Sequence, residues 1–160
     1  MRGYLRGHPG IDFAAYHGQK VYAAHDGIAI AIKDAHGGEG IWLLAPGYQT
    51  IYWHLIGDTD PAYPPVIPFD NAYHPVKAGD LIAYADNTGA PYESNGTHLH
   101  FGLALLDAEN NMTTRADGYD GCIDPSPYFN GYCAQDITLL TKLYVSLISV
   151  LQQLVAIKRQ

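Results

Sequence analysis

The sequence predicts an all-β fold followed by a C-terminal α-helix. Short β-branched or aromatic runs recur, punctuated by Gly, Pro or Asp about every ten residues, as in hairpin-rich proteins. No amphipathic helices alternate with them, which argues against a parallel α/β sheet. Helical spacing begins only at Asp136. A hydrophobic content of 48% with 17 glycines, 10 prolines and 13 tyrosines fits a turn-rich globular chain and excludes a disordered one.

The elements follow in order. Val21-Tyr22-Ala23-Ala24 reads as a strand, and Gly27-Ile28-Ala29-Ile30-Ala31-Ile32 as the next. The glycine-rich turn at 36–40 leads into Ile41-Trp42-Leu43-Leu44, and Pro46-Gly47 turns the chain into Thr50-Ile51-Tyr52-Trp53-His54-Leu55. Residues 57–76 break the rhythm. Five of the ten prolines fall there with Asp58, Asp60 and Asp70, which reads as a long ordered surface loop with solvated charges. After Ala78-Gly79-Asp80 come the strands Leu81-Ile82-Ala83-Tyr84 and Thr97 to Leu106.

In the tail, Ile137, Leu140, Tyr144, Leu147, Leu151 and Leu154 step by three and four, an amphipathic seam with Lys158 and Arg159 suited to the negative end of a helix dipole. The uncharged run from Leu143 to Ile157 is shorter than the about 18–20 residues a membrane span needs, and it contains Ser146, Ser149, Gln152 and Gln153. The expectation is a linker helix over 134–160 that contacts another helix or domain, after one domain over 1–133.

Charge and cysteines bound the function. A net charge of −7 with no basic stripe excludes nucleic acid as a partner. No apolar stretch of a signal peptide is visible near the N-terminus. Cys122 and Cys133, eleven residues apart, fit either a disulfide or two thiols, and their spacing fits no common zinc pair.

The histidines carry the chemistry. On a strand, residues i and i+2 share a face, so in His98-Leu99-His100 both imidazoles project together. Leu99, Phe101, Leu103 and Leu105 would then face the core, leaving His98, His100, Gly102 and Ala104 opposite. By the same alternation His54 falls on the polar face of its strand. His8 and Asp12 are four apart, with Gly10 between them permitting a close backbone approach. A catalytic zinc takes three such ligands and keeps an open position for water. Here two imidazoles and a carboxylate are available, with further histidines left to handle protons. His17, His25, His36 and His74 sit at turns without partners at ligand spacing and read as surface residues.

His-x-Gly-x-Asp at His8 to Asp12, Tyr-x-His-Leu at Tyr52 to Leu55, and His-Leu-His-Phe at His98 to Phe101 together closely resemble the lysostaphin/LytM-type zinc metalloendopeptidases, which cut peptidoglycan peptides. The similarity runs from about Gly7 to Leu105 and includes the connecting phrases Asp26-Gly27, Lys77-Ala78-Gly79-Asp80 and Asn87-Thr88-Gly89. The resemblance implies a compact antiparallel β-sheet or split-barrel domain with a groove over one Zn2+. It implies His8, Asp12 and His100 as zinc ligands, and His54 and His98 as the catalytic pair. Tyr52, Trp53, Tyr92 and the 57–76 loop are candidates to line the groove. The implied partner is peptidoglycan, and hence a compartment outside the cell membrane, or a phage particle.

Two alternatives are weighed against this. One is a catalytically silent wall-binding or regulatory module of the same fold, although such relatives usually lose ligands and all five positions are filled here. The other is a zinc D-Ala-D-Ala carboxypeptidase, which would carry a longer His-to-Asp spacing and a Glu before the last histidine.

Overall fold

The structure, a computed structural model, describes residues 7–91, 93–113 and 119–130. Nine strands form its framework: β1 (Ile11–Ala14), β2 (Lys20–Tyr22), β3 (Gly27–Asp34), β4 (Gly38–Ala45), β5 (Tyr48–Trp53), β6 (His74–Val76), β7 (Leu81–Tyr84), β8 (His98–Leu105) and β9 (Cys122–Ile123). Seven form one antiparallel sheet in the order β1-β8-β5-β4-β3-β6, with β9 also on β8, while β2 and β7 form a separate hairpin-like pair. The all-β architecture agrees with the sequence. Ser126–Asn130 form a 3-10 turn that belongs to a second compact unit. The helix expected over 134–160, its expected contacts and Cys133 lie outside the described residues.

Register assigns each face of the large sheet. Phe101, Tyr52, Ile41 and Ala31 are cross-strand neighbours in one row and point into the core, joined by Leu43 and Ala29, and Leu103 on the same face of β8 is also buried. The β2–β7 pair contributes Val21, Ile82 and Ala83 to the same cluster. Burying aliphatic and aromatic side chains of this size contributes about 1.5–3 kcal/mol each. The neighbouring row, Asp12, His100, Trp53, Gly40 and Ile32, faces the other way. A polar site and the core thus occupy opposite faces of the same strands, as period-2 alternation requires.

Three details depart from expectation. On β8 the face carrying His100 is covered rather than open, with Ala104 at 0% exposure, whereas Leu105 at the strand's end is 39% exposed. Short β1, β6 and β9 carried too few residues to stand out by pattern. The 57–76 segment is an exposed loop over most of its length, but it is anchored: Ile67 is buried in the core, Tyr63 packs on Tyr84 and against Gly18, and its last three residues form β6.

The chain also stitches the two sheets together just past β7. Leu55 pairs with Ala85, and Asp86 with His98, as isolated bridges. Asp86 N donates to His54 O (2.7 Å), and His98 N donates to Asp86 O (3.2 Å). One residue therefore ties the exit of β5 to the start of β8.

Candidate metal centre

β1 and β8 build the centre. Asp12 and His100 are direct cross-strand partners, so both side chains leave the sheet on one face. His8 reaches the same point from the turn before β1, closed by Gly10 N donating to His8 O at 2.9 Å. Gly10 is required there: a Cβ would lie 2.4 Å from Phe101 O and 2.8 Å from His100 Nε2. The backbone comes that close only because the residue has no side chain.

The result is a group of three donor atoms, one each from His8, Asp12 and His100, all within 4.8 Å of one another and able to hold a metal ion. Asp12 Oδ1 lies 3.1 Å from His8 Nε2 and 3.2 Å from His100 Nδ1. Donors on a tetrahedral ion at about 2.0–2.1 Å sit about 3.3 Å apart, so these separations suit such an ion. His8 Nδ1, the nitrogen away from the centre, is buried without a hydrogen-bond partner among the described residues.

Electrostatics favours the ligating forms. Burial lowers the His8 pKa against the opposing pull of Asp12, keeping the imidazole neutral. Burial alone would raise the Asp12 pKa, but the hydrogen bond from His100 and the nearby His8, His98 and His100 outweigh it and hold the carboxyl ionised.

His54 and His98 stand beside this group, their rings 4.5 Å apart. His98 Nδ1 donates to Gly96 O (2.7 Å), and its Nε2 lies 3.6 Å from Asp12 Oδ1. His54 does not sit on the exposed face of a strand as expected. β5 ends at Trp53, and His54 takes a left-handed conformation (φ 63°), which turns its ring back over the centre while Leu55 enters the core. The His54 ring is buried, and its Nδ1 donates to Thr88 O at 2.8 Å. Desolvation dominates its pKa, lowered to about 4 despite that hydrogen bond, with His98 and His100 adding to the fall. Since a carbonyl only accepts, both rings carry a proton on Nδ1, and in the neutral form each turns its lone pair to Nε2.

The five residues line a cavity of about 1030 Å³ together with Trp53, Trp42, His36 and Glu93. Of the expected groove residues, Trp53 is therefore in place. Tyr52 is not: alternation turns it into the core at 1% exposure, where its hydroxyl accepts from Ala24 N at 2.9 Å. Tyr92 lies outside the described residues. No described residue of 57–76 lines the cavity, because that segment packs over the β2–β7 side. His36, expected as an ordinary surface residue, does line it. His25 is half-buried, its ring held between Asp26 O (2.8 Å) and the Thr50 hydroxyl (3.0 Å). Two further residues support the histidines without a sequence signal of their own: Thr88, whose carbonyl holds His54, lies in the Asn87-Thr88-Gly89 phrase, whose spacing gives no contact, and the buried Ser94 donates to Gly96 O (3.2 Å) beside His98.

Known proteins resemble this chain in sequence and fold. A metalloprotease of Haemophilus influenzae without an assigned activity is 32% identical over 122 residues, covering 74% of this chain and 23% of its own. The DD-carboxypeptidase/endopeptidase Mpg of Neisseria meningitidis is 35% identical over 97 residues, 59% of this chain and 19% of its own. The chain thus spans about a quarter or less of the length of these curated relatives. Among solved structures, LytU matches with a TM-score of 0.58 at 27% identity, over 78% of this chain and 73% of that one. The model of peptidase family M23 matches residues 6–112, and with the fold and the His8–Asp12–His100 group in agreement, the chain belongs to that family.

Proposed function

We propose that the chain is a zinc-dependent endopeptidase that hydrolyses peptide bonds of bacterial peptidoglycan, in the stem peptide or the cross-bridge. The observation that carries this reading is the convergence of His8 Nε2, His100 Nδ1 and Asp12 Oδ1, with two further histidines presenting Nε2 beside them. Two neutral imidazoles and one carboxylate suit zinc and would leave it with one net positive charge. When bound there, zinc supplies Lewis acidity that acidifies water and polarises the scissile carbonyl.

The protein's own groups do the rest. His8, Asp12 and His100 hold the ion. The paired Nε2 atoms of His54 and His98 lie beside the same point: one, as a neutral base, takes the proton of the attacking water, and the other stabilises the oxyanion or protonates the leaving amine from its doubly protonated form, which carries a proton on Nε2 as well as Nδ1. Fixing both Nδ1–H groups on backbone carbonyls prevents the rings from presenting the wrong nitrogen. The half-buried Trp53 indole provides a flat apolar wall for the peptide. Peptidoglycan as substrate places the working protein outside the cell membrane or on a phage particle. Among the described residues, no helix is long and apolar enough to cross a membrane.

The name of the Neisseria relative couples endopeptidase with carboxypeptidase activity, which favours release of a terminal residue as a second reading. Mass spectrometry of purified peptidoglycan digested by the zinc-loaded chain separates the two. Endopeptidase action produces new internal ends; carboxypeptidase action removes only one terminal residue. Chelator and His98→Ala should each abolish the products. Stoichiometric zinc with no cleavage of any wall peptide would overturn the enzymatic reading and leave a binding module.

A further inference from the structure

The buried His54 ring must be held in one orientation, and the group holding it is the carbonyl of Thr88, 34 residues further along the chain and in a different loop. The Thr88 side chain is itself clamped. Its hydroxyl donates to Leu55 O at 2.8 Å and accepts from Glu39 N at 3.1 Å. Three segments therefore meet at one hydroxyl: the start of β4, the turn after β5 that carries His54, and the 88–89 turn.

Two glycines make the meeting possible. Gly38 and Gly89 both have left-handed φ, 79° and 89°. A Cβ on Gly38 would lie 2.4 Å from Gly89 N and from Thr88 C, and one on Gly89 would lie 2.5 Å from His36 O. The two turns touch backbone to backbone, which brings the Thr88 hydroxyl within reach of Glu39 N. His54 is also left-handed, a conformation that a histidine holds only when its surroundings fix it.

We propose that Thr88 is the positioning residue of His54: its clamped hydroxyl aims its carbonyl at His54 Nδ1 and so keeps Nε2 turned towards the His8–Asp12–His100 group. This rests on the catalytic role given to His54 above, but the orientation is observable without turnover. Removing the hydroxyl leaves Glu39 N–H and Leu55 O without their partner, and the turn relaxes to satisfy them. A small displacement of the carbonyl then frees the ring, and misplacement of a catalytic group by about 1 Å can cost on the order of 100-fold.

The test uses the full chain, zinc-loaded, as Thr88→Val and Thr88→Ser, with ring nitrogens observed by 15N NMR at neutral pH and the His54 signals assigned by their loss in His54→Asn. Wild type and Thr88→Ser should show His54 protonated on Nδ1. Thr88→Val should show a mixture or the opposite tautomer, with kcat down about 30-fold and KM changed by less than about threefold. Should valine prevent folding, Thr88→Ala carries the same expectation. A threonine acting only as turn scaffold would lower stability and leave the tautomer unchanged. That result, or a failure of Thr88→Ser to restore the wild-type tautomer, overturns the proposal. If no variant, wild type included, cleaves wall peptides, the enzymatic reading falls and the NMR result still decides the role of Thr88.

Discussion

Asp12 and His100 meet across the β1–β8 strand pair: they are Cα partners, and Asp12 Oδ1 lies 3.2 Å from His100 Nδ1. Because the pairing register sets this contact, the site depends on the sheet more than on any loop. The same oxygen also faces His8 Nε2 at 3.1 Å and His98 Nε2 at 3.6 Å. Asp12 is thus the single anionic point around which three imidazoles gather.

Asp12→Asn keeps the shape and one acceptor oxygen but removes that charge. Zinc affinity is expected to fall by roughly 100-fold, about 2.7 kcal/mol, with cleavage lost at limiting zinc. Competition with a calibrated chelator measures it. An unchanged affinity would mean that the ion sits elsewhere.

Metal loading should appear in stability, because an ion that binds only the folded chain adds free energy by mass action. At free zinc of about 100 times Kd the gain is about 2.7 kcal/mol, or roughly 5–10 °C in Tm for a domain of this size. His8→Ala should abolish the shift. An equal shift in that variant would point to another site, such as His17 with Asp60 and Asp86.

How far the sequence revealed this site follows from what strand alternation can and cannot encode. His98 and His100 were legible as neighbours on one face because β8 keeps strict period-2 geometry through both. The same rule failed for His54, where the chain leaves β5 one residue earlier and turns left-handed. It failed for Tyr52 in a different way. Alternation separates Tyr52 from Ile51 and Trp53, but which of the two faces is the core depends on the β2–β7 pair folding over it, a long-range packing event. Thr88 was beyond reach, since its contacts with Glu39 and Leu55 come from residues 49 and 33 positions away. The prolines of 57–76 correctly marked a largely exposed loop, but composition gave no sign that Ile67 anchors it in the core or that its last residues form β6.

Acid should destabilise the zinc-free chain through His54. Desolvation lowers its folded pKa to about 4 from 6.5, with His98 and His100 reinforcing the shift and Asp12 opposing it. Between those values the unfolded chain binds a proton that the folded chain refuses. The contribution of His54 to stability is therefore complete above pH 6.5, falls as pH drops through the window, and stops falling near pH 4. The total loss is about 3 kcal/mol. His54→Asn, whose side chain suits a left-handed backbone, should flatten the pH dependence of urea unfolding over that range by a comparable amount. His8 and His25, also lowered by burial, would supply the remaining slope. An equally steep profile in His54→Asn would show that the ring is solvated in the folded state.

Trp53 should set substrate binding more than turnover. It sits beside His100 in the β5–β8 register, and its ring lies over two glycines: a Cβ on Gly40 would come 2.4 Å from Trp53 Cε3, and one on Gly37 would come 3.3 Å from it. The glycine bed lets the indole lie low against the sheet and wall the groove without filling it. Trp53→Ala removes that wall and is expected to raise KM about 5–10-fold with kcat within about threefold, the pattern of lost uniform binding. Some stability should go with it, because Trp53 also packs against the small cluster of Ile51, Ala104 and Cys122. Gly37→Ala separates the two effects. Its added methyl would meet only the indole, at 3.3–3.4 Å, so it shifts the ring without touching the β4–β5 backbone, and KM should rise while apolar burial is largely kept. A fall in kcat at constant KM in both variants would instead make Trp53 a support for the neighbouring His100, and the groove wall would have to be sought at Trp42.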